Sequence, residues 1–143
     1  MFSATLLNLI LVTIAVLIHY EMLLQLSNII PRLSALHRLR IVIGIFGSLG
    51  AHIVEIWTFA FGYFFMVQTG KFGTLQGAFN GSILDCVYFS FISYTSVGFG
   101  DVYPEGLIRF TAGIEALTGL VLITWTASFM FIEMQKFWSN KNH

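Results

Sequence analysis

Charge is scarce in this chain of 143 residues. Only 10% of the residues are charged, whereas 57% are hydrophobic. The few charged residues gather at the edges of three long apolar runs instead of spreading over a surface, so no soluble domain of useful size remains. The composition indicates a membrane protein.

Cysteine and proline are also nearly missing. Cys86 is the single cysteine, which excludes an intramolecular disulfide framework and any metal site with several cysteine ligands. We expect it to serve in packing. The two prolines, Pro31 and Pro104, stand alone, and no internal repeat or linker rich in proline and serine interrupts the chain. The chain is therefore predicted to be one domain.

Two further absences exclude classes of function. No ladder of arginines at every third residue is present, which excludes a voltage-sensing helix. No credible set of nucleophile, base and orienting residue is present either, so we expect neither an enzyme nor a cofactor. From the short tail after Met134 we expect no cytoplasmic ligand-binding domain.

Three apolar runs are each long enough to cross a bilayer as a helix. They cover approximately 2–26, 41–67 and 107–134, at or above the ~20 residues that a spanning helix needs. The first run lacks the basic start and the small-residue cleavage site of a signal peptide, so we expect a mature helix. A fourth run, about 82–94, is too short to span and predicts a re-entrant helix surrounded by protein.

The segment after this short run is the most informative one. It reads Thr-Ser-Val-Gly-Phe-Gly-Asp over 95–101, and Gly98 and Gly100 can adopt backbone conformations that are barred to residues with a Cβ. Such conformations let successive carbonyls point the same way, and rings of carbonyls can replace the hydration shell of a cation. The segment therefore predicts a pore and not a catalytic loop.

This segment resembles the Thr-Val-Gly-Tyr-Gly-Asp selectivity filter of potassium channels. Ser96 stands in the place of a threonine and Phe99 in the place of the tyrosine. Residues 88–95 resemble the pore helix of the small prokaryotic potassium channels, and 101–104 resemble their exit from the filter. The resemblance covers about 41–136, with outer helix, turret, pore helix, filter and inner helix in family order.

The resemblance implies an all-α membrane protein with three transmembrane helices, a re-entrant pore helix and a selectivity filter, assembled as a tetrameric pore. Residues 1–40 are then an extra N-terminal transmembrane helix with a cytoplasmic loop, and 41–143 are the pore domain. A filter of this type needs four strands, whereas the chain carries one, so a homotetramer is expected. The expected partners are three identical subunits, K⁺ ions and the lipid bilayer, with no nucleic acid.

The resemblance also assigns roles to the filter residues. The implied ion-binding residues are Thr95, Ser96, Val97, Gly98, Phe99 and Gly100, with K⁺ bound at Ser96, Val97, Gly98 and Phe99. The Ser96 hydroxyl would complete the innermost site, whereas Phe99 has no hydroxyl and can only pack. Asp101 lies at the outer mouth. Ile92 replaces the acidic brace of related filters, which leaves Tyr88 as the nearby donor for Asp101.

The inner helix has two candidate gating residues. By resemblance, Gly119 lies near the place of a hinge glycine, and the alternative is close packing against another helix. Helical spacing from residue 120 predicts one stripe, formed by Thr124, Ala127, Ser128, Phe131 and Gln135. Phe131 is thus a candidate gate constriction, although the stripe could equally face another helix.

Ionisable residues inside the spans cost several kcal/mol unless they are paired or hydrated. His52 and Glu55 share a helix face, which favours a mutual hydrogen bond over half a metal site or a pH sensor. Glu115 lies too far from His52 to pair, so we expect it to support the filter by bracing the back of the pore helix. The alternative is a carboxyl bonded within its own helix. We expect His19 to be interfacial.

The positions of basic residues predict the orientation. Outside the three apolar runs they are Arg32, Arg38 and Arg40 between the first two spans, Lys136 and Lys141 after the third, and Lys71 alone in the loop 68–104. Cytoplasmic loops carry the excess of Lys and Arg. We therefore expect the N-terminus and the filter mouth outside and the C-terminus in the cytoplasm, in the plasma or inner membrane of the cell.

Taken together, these features predict a K⁺-selective channel that conducts passively through a filter of backbone carbonyls. Ser96 and Phe99 leave open a weakly selective monovalent cation channel. The alternative from another class is a non-conducting membrane scaffold or regulatory subunit with a pore-like fold. Leak-like conduction and gating by the filter, by pH or by membrane tension all stay open.

Overall fold

The computed structural model describes residues 1–32 and 37–139. Its helices are α1 (Phe2–Ile29), α2 (His37–Thr69), α3 (Ile83–Tyr94) and α4 (Ile108–Ser139). α1, α2 and α4 are long and apolar enough to cross a membrane, whereas α3 is too short. The predicted all-α membrane fold is confirmed. Part of the loop between α1 and α2, and the tail with Lys141, lie outside the described residues.

The spanning helices extend beyond the apolar runs that predict them. α1 continues to Ile29 and passes into a 3-10 turn at Ile30–Arg32, α2 begins at His37, and α4 runs to Ser139. Hydropathy marks only the apolar part of a helix, whereas polar and basic residues continue it at little cost in propensity. The sequence therefore locates the spans correctly and underestimates their ends.

α3 begins at a capping box, which explains why it starts where it does. The Ser82 side chain accepts a hydrogen bond from the backbone N–H of Asp85 (3.1 Å), and the Asp85 carboxylate accepts from the N–H of Ser82 (3.3 Å). The N–H of Asn80 also donates to this carboxylate, at 2.9 Å. The bonds from Asn80 and Ser82 lower the pKa of Asp85. The start of the predicted pore helix is thus fixed by local contacts.

Two short strands, β1 (Gly73–Gly77) and β2 (Val102–Gly106), form an antiparallel pair that the sequence analysis does not predict. β1 precedes α3 and β2 precedes α4, so their pairing closes the re-entrant segment at its base. Gly73 pairs with Gly106, and a Cβ on Gly73 would lie 1.9 Å from the backbone oxygen of Glu105. Glycine is therefore required at this close approach.

α1 packs into the groove between α2 and α4. A Cβ on Gly47 of α2 would lie 2.5 Å from a methyl carbon of Leu26, so this glycine lets α1 come close. Farther along, Thr111 of α4 donates to the Asn8 side chain at 2.7 Å, and both residues are buried. The extra first helix is therefore part of the core that surrounds the re-entrant segment.

Candidate functional site

The predicted filter, residues 95–101 and here called the filter loop, connects α3 to β2 and has an alternating backbone. φ is positive at Ser96 (57°), Gly98 (53°) and Gly100 (80°), whereas Val97 and Phe99 between them have negative φ. In a regular strand, successive residues face opposite sides. Alternation of the sign of φ lets successive carbonyls face one side, as a ring of ion ligands requires.

Ser96 is strained at this position. Among the described residues it is the one non-glycine residue with positive φ. A β-branched side chain is a severe outlier in that region, because its two branches crowd the backbone. Serine therefore fits this backbone better than threonine would.

Hydrogen bonds tie the inner half of the filter loop to the end of α3. The N–H of Ser96 donates to the carbonyl of Ser93 at 2.9 Å, and the N–H of Gly98 donates to the carbonyl of Ile92 at 3.1 Å. These bonds satisfy carbonyls that the last turn of α3 leaves without helical partners. The position of α3 therefore sets the position of the loop.

The filter loop lies on the surface of the single chain. All seven of its residues are exposed, with 56% of Val97 and 71% of Phe99 accessible. Behind the loop lies a cavity of about 370 Å³ between α3 and α4, lined in part by Ile92 and Ala116. The apolar side chains of Val97 and Phe99 are thus exposed on the same loop whose backbone φ alternates in sign.

The residues on both sides of this loop identify the protein family. Residues 38–136 match the family described as "Ion channel", and this region contains α3, the filter loop, all of α2 except its first residue, and most of α4. The chain belongs to the ion channel family. It is a multi-pass membrane channel that conducts ions passively. No curated protein and no solved structure matches it.

The outer mouth of the channel's filter loop carries the contact that the sequence analysis expects for Tyr88. The Tyr88 hydroxyl donates to Asp101 at 2.7 Å, joining α3 to the residue before β2. This bond raises the pKa of Tyr88, because the phenol proton is held by the aspartate. Ile92, in the place of the acidic brace, is buried and makes no side-chain hydrogen bond.

Glu115 contacts the back of α3, as predicted. Fully buried on α4, it accepts hydrogen bonds from the hydroxyls of Ser90 on α3 and Tyr63 on α2. Ser90 is also 2.8 Å from the backbone oxygen of Ile56. The carboxyl therefore joins three helices behind the filter loop. The pore-helix side of this contact is predictable from the sequence, whereas Tyr63 is not, because its position depends on how α2 packs.

We expect Glu115→Gln to retain conduction, because the amide can still hydrogen-bond to both hydroxyls. Glu115→Leu should lower the free energy of unfolding by about 1–3 kcal/mol, because it leaves the buried Tyr63 hydroxyl without this partner. It should also lower the open probability. Thermal unfolding and single-channel recording test both variants, with exposed Glu105→Leu on β2 as the control. Wild-type behaviour of Glu115→Leu would refute the brace.

Gly119 packs against α3. A Cβ at this position would lie 2.2 Å from the backbone oxygen of Tyr94, the last residue before the filter loop. This is the close helix contact that the packing interpretation of Gly119 requires. By contrast, a Cβ on Gly113 of the same helix would have no neighbour within 4 Å.

The stripe that contains Phe131 is open in the single chain. Thr124, Ala127, Ser128 and Gln135 are exposed, and 56% of Phe131 is accessible. Its exposure is compatible with a surface that lines a conduit, and its role as a gate stays a prediction.

The interfacial placement of His19 is wrong. His19 is fully buried, and its Nδ1 lies 2.9 Å from Glu55. The expected bond between His52 and Glu55 is present at 3.1 Å, and the Tyr94 hydroxyl also donates to Glu55. The hydropathy of α1 marks its apolar run but does not show that one face packs against α2, which is why the sequence alone predicts His19 at the membrane boundary.

Proposed function

We propose that this channel is a homotetrameric, K⁺-selective channel with one filter loop per subunit. The observation that carries the proposal is the alternating φ of the filter loop, with glycine or serine at each positive value. Four such loops around one axis would surround dehydrated ions with carbonyl oxygens from residues 95–99, and Ser96 would add its hydroxyl. K⁺ is the permeant ion, and no further cofactor is needed for this step.

The exposure of the filter loop supports the tetramer. A single chain presents one loop with Val97 and Phe99 largely uncovered, so its carbonyls can ring an ion only when other copies complete the circle. Closed rotational symmetry provides such a ring with one repeated interface. The exposed ring of Phe99 would pack at that interface instead of forming a hydrogen bond.

The proposed orientation places the filter mouth outside the cell. Ser3 near the start of α1 and Lys71 before β1 line one cavity, so the N-terminus lies at the same end as the sheet and the filter mouth. The basic residues of the first loop and of the end of α4 then belong to the cytoplasmic side. The membrane is the plasma or inner membrane of the cell, and the organism type implied by the resemblance is a prokaryote.

Flux through the purified protein in liposomes tests the function. With K⁺ on one side and an equal concentration of Na⁺ on the other, we expect a reversal potential far from zero, with the K⁺ side negative. A reversal potential near zero in equimolar ions would instead identify a weakly selective cation channel, for which the missing hydroxyl of Phe99 is the physical reason. No flux from a folded tetramer would favour the scaffold. Chemical cross-linking to a limit of four chains tests the stoichiometry.

A further inference from the structure

Three side chains with metal-binding atoms meet in the core beside the filter loop. They are His19 on α1 and His52 and Glu55 on α2, and one ligand atom from each lies within 4.8 Å of the other two. The Nδ1 atoms of both histidines face the Glu55 carboxylate, at 2.9 and 3.1 Å. His19 and Glu55 are fully buried, and 12% of the His52 side chain is exposed.

The far sides of both imidazoles face one hydroxyl. Nε2 of His19 lies 3.4 Å from Thr126 Oγ1, and Nε2 of His52 lies 3.1 Å from it. A hydroxyl has two lone pairs and a single proton. It can therefore accept from two N–H groups at once but cannot donate to two bare nitrogens. If Thr126 accepts from both neutral imidazoles, both Nδ1 lone pairs are left facing Glu55. If it accepts from one and donates to the other, one Nδ1 lone pair still faces the carboxylate.

A count of protons shows that this cluster has fewer protons than hydrogen-bond contacts. Six contacts join His19, His52, Glu55, Tyr94 and Thr126. With neutral histidines the five side chains supply four protons, one from each imidazole and one from each hydroxyl, while the carboxylate supplies none. Two contacts therefore lack a proton. A cation between the Nδ1 atoms and the carboxylate removes the shortage, because those three groups then bind the cation.

A cavity beside the cluster leaves room for an ion to reach it. His52 and Thr126 line a cavity of about 410 Å³ between α2, α3 and α4, and Ser48 lines the same cavity one helical turn before His52. Ser48 Oγ is buried and has no hydrogen-bond partner within the described part of the chain. An unpaired buried hydroxyl is costly, so a bound water or ligand at this place is favoured.

We propose that His19, His52 and Glu55 bind a divalent transition-metal ion of the Zn²⁺ class. Two imidazoles and one carboxylate suit Zn²⁺, whereas Mg²⁺ and Ca²⁺ prefer oxygen ligands alone. Zn²⁺ bonds of ~2.0–2.2 Å place ligand atoms within about 4 Å of one another, which small side-chain rotations achieve here. Thr126 positions both rings through their second nitrogens.

This ion would join α1 to the filter region. Glu55 accepts a hydrogen bond from Tyr94, the last residue of α3, and the filter loop begins at the next residue. The first helix, which lies wholly outside the region matched by the ion channel family, would thereby contribute a ligand close to the proposed conduction site. The proposal does not depend on K⁺ selectivity.

Metal binding to the purified full-length protein tests the proposal directly. After equilibrium dialysis against Zn²⁺, we expect one bound ion per chain, and Co²⁺ in its place should give the intense visible absorption of a tetrahedral site. His19→Gln and Glu55→Gln should each lose this ion. The matched controls are His37→Gln, at the start of α2, and Glu21→Gln, on the exposed side of α1, which should bind normally.

Thr126 provides a test that does not remove a ligand. Thr126→Val keeps the shape of the side chain and should weaken Zn²⁺ affinity by roughly 10–100-fold, as for other groups that orient metal-bound histidines. Thr126→Ser should restore the affinity. A folded wild-type protein that binds no stoichiometric Zn²⁺ overturns the proposal, as does Zn²⁺ binding that is unchanged in His19→Gln. Conduction that depends on pH alone, without metal binding, would identify a proton site and also overturn it.

Discussion

Replacing Gly98 by alanine is expected to abolish K⁺ flux while the protein still folds. Gly98 has φ 53°, a left-handed conformation that costs a residue with a Cβ roughly 1–2 kcal/mol. There is open space around the position, since a Cβ would have no neighbour within 4 Å in the chain, so the damage comes from the backbone and not from a collision. Turning this one peptide would remove a carbonyl from the row that faces the ion.

Gly70 provides a matched control for this substitution. It also has positive φ, at 64°, and it also has no neighbour within 4 Å of a Cβ, but it follows α2 and lies far from the filter loop in sequence. Gly70→Ala should therefore cost a similar free energy of unfolding and leave the flux intact. The measurement is K⁺ flux into liposomes together with thermal unfolding. Undiminished flux in Gly98→Ala would contradict the assignment of the filter loop.

The sequence was sufficient for the parts of the fold that depend on local signals. Apolar runs locate the three spans, and the short run at about 82–94 agrees with α3 at Ile83–Tyr94. Gly98 and Gly100 mark a backbone of alternating handedness, because only glycine adopts positive φ at little cost. The contact between Glu115 and α3 could be predicted from depth along two helices, since helical rise is regular.

Features that depend on how helices pack could not be predicted in this way. The pairing of β1 with β2 joins segments that are far apart in sequence, and its short strands contain glycines and Pro104, which give no strand pattern. His19 approaches Glu55 only because α1 packs against α2, and Tyr63 reaches Glu115 only because α2 packs against α4. Neither contact has a signature in the local sequence.

The second large effect is expected at Gly119. In Gly119→Ala, the new Cβ would lie 2.2 Å from the Tyr94 oxygen and 3.0 Å from its carbonyl carbon, much closer than an ordinary van der Waals contact. These are backbone atoms, so no side-chain rotation relieves the collision and α3 must move away from α4. Overpacking of this kind costs typically ~1–3 kcal/mol. Because the filter loop begins directly after Tyr94, the displacement should reach the ion-binding carbonyls and lower the selectivity for K⁺.

The Gly119→Ala variant also distinguishes a packing role of this glycine from a hinge role. A hinge glycine acts through helix bending, so its replacement by alanine should change the open probability and leave the reversal potential in mixed K⁺ and Na⁺ unchanged. A packing glycine acts through α3, so Gly119→Ala should shift the reversal potential toward zero and lower the unfolding temperature. Gly113→Ala is the control, because it adds the same methyl group to α4 where the chain leaves space, and alanine should stabilise the helix by up to ~1 kcal/mol. A Gly119→Ala channel with wild-type selectivity and stability would exclude the packing role.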